Sequence, residues 1–125
     1  MDINLLVNSS ITLLDLLDNE GVKPRAAMWF HNPETDAWRF WIVPSKGYAN
    51  DKPRFYRVVS EIVSNNSDNM QGINVSDIES ISDKHPAITG LSKMFRIEEK
   101  GVMFVEKNML NGFYLAEGII IRMAV

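Results

Sequence analysis

The stretch AAMWFHNPETDAWRFWIV, residues 26–43, carries all three tryptophans of the chain, Trp29, Trp38 and Trp41, with Phe30 and Phe40 among them. Its middle, Asn32-Pro33-Glu34-Thr35-Asp36, is turn-forming, because proline presets the first turn position and Asn and Asp tolerate the others. The spacing predicts a β-hairpin with a loop of about four residues in which Asn32 faces Ala37. That register sets His31 against Trp38, Trp29 against Phe40 and Ala27 against Ile42 on one side of the sheet. Phe30 with Arg39, Met28 with Trp41 and Ala26 with Val43 fall on the other. A hairpin with one wet face alternates apolar with polar residues, whereas this one is apolar on both sides. Both faces are therefore expected to be covered, and the tryptophans, divided between them, cannot form one platform.

Around the hairpin the pattern is helical, then mixed. Leu6, Leu13, Leu14, Leu16 and Leu17 recur at helical spacing before Gly21, and Asn8, Ser9 and Ser10 are a place where that helix is expected to split. The segment SKGYAND reads as a loop. After it, Phe55, Val58, Val59, Ile62 and Val63 form one helical stripe, with Asp51 as a cap and Pro53 in the first turn. A polar loop, NNSDNMQG, leads to a short strand, IESIS. A modest helix follows over DKHPAITGLSKMF, with Asp83 as its cap. Asn111-Gly112 signals a second tight hairpin, ending in the β-branched run Ile119, Ile120, Ile121. The expected fold is a single α+β domain over residues 1–125, in the order α-ββ-α-β-α-ββ. It has a mainly antiparallel sheet of about five strands with helices packed on it.

Composition narrows the function classes. Of 125 residues 46% are apolar and 23% charged, which suits an ordinary globular core. There is no cysteine, so disulfides, thiolate metal sites and a cysteine nucleophile are excluded. The first 22 residues are acidic without Lys or Arg, unlike a secretory signal, and no apolar run approaches a membrane span, so a cytoplasmic location is expected. Net charge is −3, yet residues 23–57 carry seven bases against three acids. Broad nonspecific DNA binding is disfavoured, and a local anion site is permitted.

The phrases GVKPRAAMWFHNPETDAWRFWIV, IESIS before a proline-containing helix, and MLNGFYLAEGIIIR together resemble a family of short bacterial proteins without an established activity. The likeness spans nearly the whole chain and implies one shared architecture, but it transfers no active site. Asp36 stands where that family often has glycine, and SKGYAND departs from its pattern.

Three groups of residues are candidates for function. Aromatic rings on strands can stack bases, but they are also the largest apolar contributors to a core, and the core reading of Trp29, Trp38 and Trp41 is preferred. Three predicted helices are few for two apolar faces, so one face, with its tryptophans, is expected to meet a second subunit. Next, Lys46, Lys52, Arg54 and Arg57 lie among Tyr48, Phe55 and Tyr56 at a helix start, where free N–H groups attract phosphates and carboxylates. The competing reading is a solvated helix end that balances the acidic first helix. Last, Glu117, Arg122 and Arg39 are charged residues within apolar strands and need partners; a pairing of Glu117 with Arg39 or Arg122 is expected. The same carboxylate beside an arginine also suits a ligand site or a small enzyme.

His31 and His85 are the only histidines, and His85 precedes Pro86 at a helix start, a capping or loop position. His31 with Glu34 and Asp36 reads as a polar turn rather than a metal site, and no metal, cofactor, nucleophile elbow or nucleotide fingerprint is expected. The favoured function is a noncatalytic interaction or assembly module, acting as a homo-oligomer or as the small subunit of a bacterial complex. Nucleic-acid or nucleotide binding through residues 46–57 is the first alternative and a small enzyme built on Glu117 the second.

Overall fold

The first helix begins where the side chain of Asp2 accepts the backbone N–H of Leu5. It runs as α1, Ile3–Asn19, in the computed structural model, which describes residues 2–125. It does not split at Asn8, Ser9 and Ser10. Ser10 turns its hydroxyl back to the Leu6 carbonyl at 2.6 Å, and Ser9 donates to the Gln71 carbonyl at 2.7 Å, so both satisfy themselves inside an unbroken helix.

Strands β1, Ala26–Asn32, and β2, Ala37–Val43, pair in the register read from the sequence, from Asn32 against Ala37 to Ala26 against Val43. Asn32 accepts the Glu34 N–H within the loop, and Asp36 closes it at φ +54°. The segment expected as a loop contains one helical turn, α2, Lys46–Ala49, closed by Tyr48 and Ala49 N–H groups on the Ser45 carbonyl. Four residues are too few to display a helical period. Helix α3, Lys52–Asn65, is capped by Asp51 and buries Phe55, Val59, Ile62 and Val63. Two short 3₁₀ turns then lead to β3, Ile78–Ser80. Helix α4, Pro86–Met94, is capped not by Asp83 but by His85, whose Nδ1 accepts the Ala87 N–H at 3.1 Å. Strands β4, Met103–Leu110, and β5, Phe113–Met123, meet at Asn111-Gly112, both left-handed at φ +53° and +89°, the geometry of a type I′ turn.

The five strands form one sheet in the order β3-β2-β1-β5-β4, antiparallel except for β3, which lies parallel to β2. Helices α1 and α3 cover one face, burying Ala27, Trp29, Phe40, Ile42, Ile119 and Ile121. Helix α4 covers the other, burying Met28, Phe30, Trp41, Val43, Leu115 and Ile120. The second face therefore needs no second subunit. Alongside α4, the tip of the β4–β5 hairpin curls over it, with Phe113 against Phe30 and Trp41 at 5.5 and 5.7 Å. That coverage is missed by counting helices alone.

The curl has a local cause. Val105 and Leu110 both pack under α4, although residues five apart on a regular strand point to opposite faces. The change of face falls at Lys107, held left-handed at φ +51°, while the pairing of β4 with β5 keeps one register throughout. A lysine in this conformation costs about 1–2 kcal/mol. Among the described residues no helix is long and apolar enough to cross a membrane.

Candidate functional site

The charged residues of the strands find partners other than those expected. The pairing of β1 with β5 shifts between Ala27–Arg122 and Met28–Ile120, so Ile121 is an extra residue and both Ile121 and Arg122 face the α1 side. The buried Arg122 guanidinium there grips both carboxylate oxygens of Asp18, at 3.0 and 2.8 Å, and donates to the Glu99 and Pro24 carbonyls. Arg39 pairs with Glu79 at 3.3 Å and donates to the Ser76 carbonyl. Glu117 receives neither arginine. It is exposed, opposite a second carboxylate, Glu106, and among the described residues it has no ion-pair partner. The expected carboxylate–arginine site is not assembled.

The basic segment is likewise dispersed. Arg54 lies over the Tyr48 ring at 4.4 Å, and Lys46 and Arg57 are exposed. The N-terminus of α3 is already occupied, since Asp51 takes the Arg54 N–H and Pro53 has none to offer. Lys52 alone of the four lines a cleft of about 280 Å³, at the carboxyl ends of the parallel strands β2 and β3. Arg25, Lys84, Ser80, Ser82 and Asp83 share it, and sequence reading singled out none of these as ligand residues. Arg25 is tied to Asp83 at 3.1 Å, which neutralises part of the cleft. Among the described residues no group of three His, Asp or Glu side chains is placed to hold a metal ion.

The tryptophans divide as the register requires. Trp29 is buried under α1, stacked on Phe40 at 4.8 Å, with its indole N–H on Ser10 Oγ at 2.7 Å. Trp41 is buried on the opposite face, stacked on Phe30 at 4.6 Å. Both are core residues. Trp38 is half-buried beside His31 and borders a groove of about 240 Å³ with Ile3, Phe104, Glu106 and Glu117.

His85 sits between the Trp41 and Phe113 rings, and this burial pushes its pKa below the ordinary histidine value, partly offset by the Glu79 carboxylate. Its Nδ1 can accept the Ala87 N–H only when unprotonated. A depressed folded pKa means that the unfolded chain binds the proton first, so this stabilisation is present above about pH 6.5 and is lost as pH falls below it. Denaturant midpoints at pH 7.5 and 5.5 are expected to separate more in the wild type than in His85→Asn, which keeps a capping acceptor without the titration.

What the structure leaves open is the far end of the β4–β5 hairpin on the α1 side. Phe104 and Met109, 64% and 68% exposed there, stand on the edge strand β4, and Tyr114, 51% exposed, stands on its neighbour β5. Met109 pairs directly with Tyr114, and Phe104 lies against the buried Ile119. Sequence reading missed these residues, although the run MFVEKNML carried a signal: its apolar residues fall out of alternation across Glu106 and Lys107. Compared with known proteins, the chain matches no family model, no curated protein and no solved structure.

Proposed function

We propose that this chain is a noncatalytic interaction module that works as a homo-oligomer or as the small subunit of a larger complex, and that it docks through the exposed side of β4 and β5. The observation that carries this reading is the concentration of large exposed apolar side chains on one edge hairpin. Single apolar residues on a surface are ordinary, whereas a cluster at a sheet edge marks a contact surface. The reading sets this complex in a bacterium, on the resemblance noted above, and in the cytoplasm, where a chain without cysteine fits the reducing conditions. The alternatives have less support. An anion-binding role for Lys46, Lys52, Arg54 and Arg57 is weakened by the self-capped α3 and by the Arg25–Asp83 pair. An enzyme built on Glu117 is weakened by the absence of an arginine beside it.

Sedimentation and light scattering on the purified chain, combined with recovery of tagged protein from its native host, test the proposal. Self-association, or a stoichiometric partner released by Phe104→Lys with Met109→Lys, is the expected result. A strict monomer that recovers no partner ends the reading.

A further inference from the structure

We propose that two copies of this chain pair edge to edge through β4, antiparallel, about a two-fold axis between Glu106 and Lys107. This rests on the interaction-module reading and names its partner. β4 ends the sheet, so the outward backbone groups of Phe104 and Met109 can form a ladder with another strand, while the Glu106 carbonyl between them is held by Asn108 Nδ2 at 2.8 Å.

The register follows from the hairpin. Leu110 and Phe113 flank a two-residue turn and so exchange both ladder bonds; Met109, one residue on, turns its N–H and C=O to the free edge. Phe104 shares the face of Met109, because the strand changes face at Lys107, and so it also turns its backbone groups outward. Placing Phe104 opposite the partner's Met109 matches hydrogen-bonding groups on both strands. It also packs two exposed apolar side chains together on the same side of the joined sheet, twice by symmetry.

On a regular strand this pairing is impossible, since residues five apart face opposite ways and would put Phe104 on one side and its neighbour on the other. The left-handed Lys107 is what permits it. The same axis brings Glu106 against the partner's Lys107, and Lys107 against the partner's Glu106. The two charges at the centre of the strand are thus self-complementary, and Glu106, which faces Glu117 within its own chain, gains a cation. One strand edge buries less than a standard interface, so the association is weak and appears at high micromolar concentration.

Sedimentation equilibrium on five samples tests this, with denaturant unfolding at low concentration as the control for the fold. Glu106→Lys sets lysine against lysine across the axis and Lys107→Glu sets glutamate against glutamate; each is expected to weaken self-association by at least about tenfold. The double variant restores opposite charges and regains wild-type association. A one-to-one mixture of the two single variants forms a heterodimer, because every charge across its axis is then opposed. Single variants that associate like the wild type overturn the proposed register. A wild type that stays monomeric overturns self-pairing altogether and makes Glu106 and Lys107 the charges that keep a bare edge apart. If that monomer still holds another protein through Phe104, the module reading stands without this inference; if it holds none, both fall.

Discussion

Asp18→Ala is expected to destabilise the chain by about 3 kcal/mol, the lower end of what breaking a buried ion pair costs. The reason is what remains. Arg122 is buried between α1 and β5, and without Asp18 its charge is left with only the Glu99 and Pro24 carbonyls. Asp18 is itself about one-third exposed, which places the loss at the lower end, because water partly replaces the carboxylate. The converse experiment separates a pair that stabilises from one that merely must be complete. Asp18→Leu combined with Arg122→Met removes both charges and keeps apolar volume, so it is expected to cost less than Asp18→Ala alone. Equilibrium denaturation of these two variants measures both quantities, and a double variant that loses as much as Asp18→Ala or more would contradict the account.

The second large effect distinguishes the three tryptophans. Trp29→Ala and Trp41→Ala are each expected to cost about 3–5 kcal/mol, since both rings are buried and stacked on a cross-strand phenylalanine. Trp38→Ala is expected to cost about 1 kcal/mol or less, the ordinary range for a residue outside the core. Ser10→Ala adds a check on Trp29, because it strands a buried indole N–H and so costs about 1–3 kcal/mol although it removes a single oxygen. A loss at Trp41 as small as that at Trp38 would contradict the covering of both faces of the hairpin.

Much of this fold was legible because its strongest signals are local. The loop Asn32 to Ala37 dictates a register, and one register assigns a face to every residue from Ala26 to Val43. Asn111-Gly112 does the same for the second hairpin, and Asp51 with Pro53 sets the start of α3. The misses are contacts between segments far apart in sequence. Nothing near Arg122 in the chain announces Asp18, and the extra residue Ile121 that turns Arg122 toward α1 is visible only once β1 is beside β5. Of the two caps the sequence offers for α4, Asp83 has the better capping chemistry, but Arg25 has claimed it and His85, next to the helix, caps instead. The candidate site fared worse than the fold. Exposure of Phe104 and Met109 depends on one left-handed lysine, and lysine is not a residue from which that conformation is read.

The placement of β5 between β1 and β4 bears on time as well as on stability. Each hairpin closes on its own within about 1–10 μs, since its strands are neighbours in sequence. The seam between β1 and β5 joins residues such as Trp29 and Ile119, about 90 positions apart, and the loop entropy is lost before any contact at that seam repays it. Folding is therefore two fast local events waiting on one slow closure. Alterations at the two turns, whose contacts are already made when the seam closes, will slow the approach to the native state, whereas loss of packing completed only after closure will chiefly hasten departure from it.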